Sequence, residues 1–252
     1  QTRMTLKQAK HLQYLADCPP LLTHSQYKID KSNTSGQGYM TVILHLLPSD
    51  LSGVGNVCPA ASKGCKLGCL NKSGRGAMSS TEHARLQRTK FFFSERNGFQ
   101  EILLWELIAA RNKAQRKGLT LAIRLNGTSD LPFESIYPRV FSGFSNCVFY
   151  DYTKLMPRMR KYMRGELPSN LHLTFSRSEE NADHVTEVLA NGHNVAVVFG
   201  HTTPLPKTYK GLPVVDGNVT DQRFLDPAGV VVGLQANGRS RHDTTGFVVW
   251  DA

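Results

Sequence analysis

Long apolar runs are missing from this chain. VAVVF at 195–199 is typical of its longest, far short of the roughly 20 residues a bilayer-spanning helix needs, so no membrane span is expected. Low-complexity tracts, Pro/Ser linkers and repeats of fixed period are also missing, and nothing marks a domain boundary. No P-loop, G-x-S-x-G, H-E-x-x-H or conventional dinucleotide fingerprint occurs, so kinase and hydrolase readings have no support. Acidic residues are few: twenty Asp and Glu face thirty Lys and Arg, for a formal net charge of +10. That imbalance favours polyanionic partners or substrates and is silent about fold. The first residues, QTRMTLKQAKHLQYLADCPP, have no continuous apolar core before a small-residue cleavage site, so they do not read as a signal peptide. The expectation is a soluble protein in a reducing, cytoplasmic setting.

What the chain does have is 252 residues, 40% of them hydrophobic, enough to bury a substantial core. Short apolar, β-branched runs recur, and each ends in polar residues: LTLAIR then LNGTSD, CVFY then DYTK, LHLTF then SRSE, NVAVVF then GHTT, PVV then DGNVTD, and VVVGL then QANGRSR. YMTVILHLLP at 39–48 precedes them all. Continuous apolar runs of this length indicate strands buried on both faces, as in parallel sheets. Amphipathic segments at 81–117, 155–164 and 178–190 separate several of them, and strand starts near 120, 147, 171 and 195 leave room for one crossover helix each. Later spacings of about 17 or 18 residues predict short helices or irregular crossovers. The expected architecture is α/β, a partial or complete (β/α) barrel of about 6–8 mostly parallel strands. It is read as one domain over 1–252, with an N-terminal extension at 1–38 and a barrel from 39. Polar residues at nearly every strand end favour a barrel, which gathers its loops there, over an open doubly wound sheet.

Cysteine is scarce but clustered. Five is an odd number, and three fall within CPAASKGCKLGC as Cys58-x6-Cys65-x3-Cys69, a poor disulfide framework and a better metal site. Glycines at 53, 55, 64 and 68 let the backbone come close to an inorganic centre. Three thiolates suit an iron–sulfur cluster or zinc. Structural zinc sites commonly pair C-x2-C knuckles, which are missing here, whereas a cubane cluster on three cysteines leaves one iron open. Three unligated thiols are the plain alternative. Cys147, Cys18, His45 and His83 are the candidates for a fourth ligand, although Cys147 opens a buried strand and reads better as core.

The loop CPAASKGCKLGCLNKSGRG, together with RLNGTSDLPFE, FYDYTK, LTFSRSE and DGNVTDQRFLDPAGVVVGLQANGRSR, resembles the bacteriophage family known as gene product 88. The resemblance covers about residues 40–250. Proteins of that family are similar in layout to radical S-adenosylmethionine enzymes, with a cysteine loop, here about 49–80, after the first barrel strand. The resemblance implies a 4Fe-4S cluster on Cys58, Cys65 and Cys69, with S-adenosylmethionine as a potential ligand of the open iron. It also puts Asn126 to Asp130 in the place of an amino-group-binding Gly-Gly-Glu motif, with Asp130 as the acid. The setting it implies is the cytoplasm of an infected bacterial host.

Asn126, Ser129, Asp130, Asp151, Lys154, Ser176, Arg177, Asp216, Asp221, Arg223 and Arg239 fall at strand ends, where a barrel would aim them into one basin that binds phosphate, ribose or carboxylate. Each is also a residue type that caps helices or forms turns. Asp151 and Lys154 could pair with each other. Basic residues concentrate across 85–117 and in MPRMRKYMR at 156–164, read either as solvated helix faces or as a phosphate-backbone footprint. FFF at 91–93 reads as core, since consecutive helix positions cannot all face one ligand. Two function classes remain open. One is an iron–sulfur enzyme acting on a nucleotide or nucleic-acid-related substrate. The other is a non-enzymatic nucleic-acid-binding protein stabilised by an iron–sulfur cluster or zinc.

Overall fold

The computed structural model describes residues 4–24, 37–69, 71, 74–202 and 204–250. Residues 25–36 of the N-terminal extension and Lys72 and Ser73 of the cysteine loop lie outside the described residues.

The strands are β1 (Leu22–Thr23), β2 (Tyr39–Leu44), β3 (Thr120–Arg124), β4 (Val148–Thr153), β5 (Leu171–Ser176), β6 (Val195–Phe199), β7 (Thr208–Tyr209), β8 (Leu212–Asp216) and β9 (Val231–Gln235). They form one sheet in the order β1-β2-β3-β4-β5-β6-β9-β8-β7. From β2 through β6 to β9 and β8 every pairing is parallel; β1 and β7 are antiparallel edges. The architecture is therefore mixed α/β with a nine-stranded, mostly parallel sheet that does not close. This corrects the expected count of 6–8. The extra strands, Leu-Thr and Thr-Tyr, are two residues each, too short to leave an apolar run in the sequence.

The helices are α1 (Leu6–Leu15), α2 (Lys63–Leu67), α3 (Ser79–Ser94), α4 (Arg96–Arg116), α5 (Phe133–Ile136), α6 (Pro138–Ser142), α7 (Met156–Met163) and α8 (Ala182–Ala190). The amphipathic stretch at 81–117 is two helices, broken at Glu95, whose φ of −131° leaves the helical region. Phe91 and Phe92 are fully buried, as core residues, and Phe92 meets Phe99 edge-on at 5.2 Å. The described part of the N-terminal extension is built into the fold. Helix α1 packs on α4, and the buried Glu106 carboxylate accepts hydrogen bonds from the backbone N–H groups of Leu21 and Leu22, both at 2.8 Å.

Strand alternation separates two faces. In β4, Phe149 packs on Phe141 with ring centroids 4.3 Å apart, on the side covered by helices. Tyr150 and Tyr152 point to the other side, which would be the interior of a closed barrel. The chain fills that side itself. The connection from β8 to β9 makes a 3-10 turn at Arg223–Leu225, the irregular crossover expected from the short spacing. Phe224 lies against Tyr39, Tyr150 and His172, with centroids at 4.8, 5.4 and 6.0 Å. Gln222 donates to the Thr41 hydroxyl at 3.1 Å, and Arg124 pairs with Asp221 at 2.6 Å. This plug does for an open sheet what closure does for a barrel: it removes one face from water.

Phe224→Ala is expected to lower unfolding stability by about 2 kcal/mol, the scale for removing a largely buried aromatic ring. Leu225→Ala, on the exposed side of the same turn, should stay within about 0.5 kcal/mol. Denaturant melts of the two variants check this, and equal effects would contradict the plug.

Candidate functional site

After β2 the chain runs into the cysteine loop, which is stitched to the sheet at each stage. Leu47 N–H donates to Thr89 Oγ1 at 2.8 Å, Val57 N–H to the Ser49 carbonyl at 3.0 Å, and Asp130 N–H to the Val57 carbonyl at 2.8 Å. Cys58 Sγ lies 3.3 Å from Ser49 N–H and 3.5 Å from the Thr128 carbonyl. Cys65 sits on α2. The Ser62 side chain caps that short helix by accepting from Cys65 N–H at 3.2 Å, and it donates to Glu179 Oε2 at 2.8 Å. Glu179 Oε1 accepts from Gly64 N–H at 2.7 Å. A Cβ at Gly64 would lie 2.2 Å from Thr245 Oγ1 and 2.4 Å from Phe247 Cβ, so glycine is required for α2 to dock this closely. Just past Cys69, buried Asn71 is held by the guanidinium of buried Arg85 from α3.

The three thiols line one cavity of about 290 Å3 at the C-terminal ends of the parallel strands. Burial pushes the Cys58 thiol up to about 12, and the neighbouring Cys69 and Cys65 add to the shift. Burial likewise raises Cys69. Among the described residues, no three His, Cys, Asp or Glu side chains are grouped to hold one metal ion. All three thiols nonetheless line the one cavity. None of Cys18, His45, His83 and Cys147 lines it. Cys18 and His83 border a separate hollow near α1, Cys147 is core at the start of β4, and His45 is buried, with burial and nearby arginines lowering its imidazole to about 3.

Of the strand-end residues expected in one basin, Asn126, Ser129, Asp130, Lys154, Ser176 and Asp221 line the cavity. Five do not. Asp151 is buried behind the wall, accepting from Asn126 N–H at 3.0 Å and Asn126 Nδ2 at 2.9 Å. Arg177 donates to the carbonyls of Gly246 and Phe247, both at 2.7 Å, pinning the C-terminal segment. Asp216 is exposed and accepts from Asn218. Arg223 lies inside the plug, 3.4 Å from Asp226, and Arg239 is exposed. Asp151 and Lys154 do not pair, because alternation along β4 sends them to opposite faces, Asp151 with Phe149 and Lys154 with Tyr152. Lys154 Nζ donates to Ser176 Oγ at 2.9 Å.

Asp151 faces Arg158 instead. This α7 arginine is bidentate to Glu134, at 2.9 and 2.8 Å, and lies 3.6 Å from both Asp130 and Asp151. Arg160 pairs with Glu187 at 2.7 Å and Arg164 with Glu166 at 2.5 Å. The MPRMRKYMR segment is thus largely ion-paired within the protein and presents no row of free guanidinium groups, while Met156 and Met159 face the core.

The model for the gene product 88 family matches residues 20–250. The chain belongs to that family. No curated protein and no solved structure matches it. The match takes in every strand and every cavity-lining residue.

Thr128, within the Asn126–Asp130 motif, lines the cavity as well, whereas sequence reasoning missed Arg124, Tyr152, Thr153, Asn218, Gln235, Asn237, Ser240 and Phe247, all of which line it. Arg124 and Tyr152 could have been found from alternation, since each shares a strand face with a cavity residue two positions on, Asn126 and Lys154. Among the described residues the buried Tyr152 hydroxyl has no hydrogen-bond partner, and the Arg124 guanidinium lies 4.8 Å from its ring centre. Phe247 follows the last sequence motif and carries no local signal. Among the described residues, no helix is long and apolar enough to cross a membrane.

Burial raises the folded-state pKa of Asp151 from 3.8 to about 6, against the opposing pull of Arg158. The folded protein therefore holds this proton more tightly than the unfolded chain. Its contribution to stability is complete below about pH 4 and is lost as pH rises through about 6. Relative to wild type, Asp151→Asn should gain about 3 kcal/mol between those pH values, measured by denaturant melts across the range. A pH-independent difference would show that Asp151 titrates normally.

Proposed function

We propose that this protein is an iron–sulfur protein whose cluster is held by Cys58, Cys65 and Cys69, with an open iron facing the cavity. The observation that carries the reading is the set of three thiols lining a single cavity that none of the four other candidate ligands lines. A zinc ion would need its donors gathered at about 2.0–2.3 Å from one point. A cubane takes each thiolate on a different iron, so its ligands stand apart. When bound, such a cluster supplies one-electron chemistry and a coordination position for a small ligand.

The finer reading is an enzyme with a layout like that of radical S-adenosylmethionine proteins, acting on a nucleotide or nucleic-acid-related substrate. Consecutive parallel strands with the cysteine loop after the first of them support it, and so does the net charge of +10. The x6 and x3 cysteine spacing departs from the usual C-x3-C-x2-C. Asp130, in the place of the amino-group-binding acid, already accepts from Thr153 Oγ1 at 2.8 Å and Lys154 N–H at 2.7 Å. Its carboxylate orders the end of β4.

On protein handled without oxygen, Cys65→Ser is expected to lose bound iron and sulfide and to melt lower, because metal binding and folding of so small a docked helix are coupled. Cys147→Ser should keep both. Iron retained in Cys65→Ser overturns the assignment. One zinc per chain without sulfide, lost in that variant, replaces the cluster by a zinc site.

A further inference from the structure

We propose that Lys154 anchors an anionic group, a phosphate or a carboxylate, on the small molecule that the cavity takes. The inference rests on the cavity being the functional site, but it does not need the cluster. Besides the thiols, the cavity is lined by four charged side chains: Arg124, Asp130, Asp221 and Lys154. Three are committed within the protein. Arg124 and Asp221 pair at 2.6 Å and are both largely buried. Asp130 accepts from Thr153 and from Lys154 N–H, and lies 3.6 Å from Arg158.

Lys154 is different. Its ammonium reaches across to β5 and donates to the Ser176 hydroxyl at 2.9 Å, and among the described residues no carboxylate lies within ion-pair distance of it. An ammonium has three donors, so two remain for a ligand. The backbone beneath is fixed: Asp130 holds Lys154 N–H at 2.7 Å, and Thr153 Oγ1 accepts from Leu155 N–H at 3.1 Å. The Phe247 ring centre is 5.7 Å from Nζ and walls off one side. A fixed, half-buried cation beside an apolar wall attracts an anion more strongly than a solvated surface lysine does, because the charge-assisted bond forms in a lower dielectric. A volume of about 290 Å3 is at the small end of ligand sites. It suits a small molecule or a single small group of a larger one.

The probes are radiolabelled inorganic phosphate and acetate, each equilibrated by dialysis against anaerobically purified wild type, Lys154→Met, Cys65→Ser and Lys161→Met, the last removing an exposed α7 lysine. Wild type and Lys161→Met are expected to bind at least one anion saturably, and Lys154→Met at least tenfold more weakly; the better-held probe tells a phosphate from a carboxylate ligand. Equal affinity in wild type and Lys154→Met overturns the proposal, as does absence of saturable binding in wild type. Lost iron or an altered visible spectrum in Lys154→Met, with anion affinity unchanged, also overturns it, by showing that the lysine serves the cluster. If anion binding through Lys154 survives in Cys65→Ser while wild type holds no iron, the cluster reading fails and this one stands.

Discussion

The Arg158 guanidinium, sealed from water against Glu134 and 3.6 Å from Asp130 and Asp151, is the interaction on which the shape of the site depends. Burying one cation among three carboxylates is costly, and leaving any of them unpaired would cost more. The surrounding hydrogen bonds follow from that demand. Asp151 takes both amide groups of Asn126, which turns the end of β3. Asp130 takes Thr153 and the backbone of Lys154, which fixes the end of β4. In this way one residue on α7 sets the positions of Asn126, Ser129 and Lys154 on the cavity wall without touching the cavity itself.

The second constraint is the open sheet. A parallel sheet needs cover on both faces, and here helices supply only one. The other is filled in two tiers: the Gln222–Phe224 turn packs against β2, β4 and β5, and the cavity lies towards the C-terminal strand ends. The Arg124–Asp221 pair joins the tiers. The cysteine loop, held by Glu179 from one side and Arg85 from another, roofs what the plug leaves open. The tight docking of Gly64 against Thr245 and Phe247 makes the C-terminal segment part of the same roof.

Much of this was legible in the sequence because buried parallel strands write themselves as uninterrupted apolar runs, and every long strand was found that way. The two-residue edges were not, since hydrogen bonding rather than composition defines them. The three cysteines and six of the strand-end polar residues reach one cavity because they follow parallel strands in register. Arg177, Asp216, Arg223 and Arg239 share that position along the sequence, but the turn after each strand decides which way the side chain leaves the rim, and no local pattern encodes it. Arg158 was read as part of a basic face. Its partners lie on α5 and at the ends of β3 and β4, and only the fold brings them together.

The central claim is that the thiol-lined cavity holds an iron–sulfur cluster. Its most direct test is iron, zinc and acid-labile sulfide analysis, with a visible spectrum, on wild-type protein purified without oxygen. About four irons and four sulfides per chain, with a broad band near roughly 400 nm, is the predicted result. Neither iron nor sulfide in protein that is folded and saturable by no added iron and sulfide would contradict it.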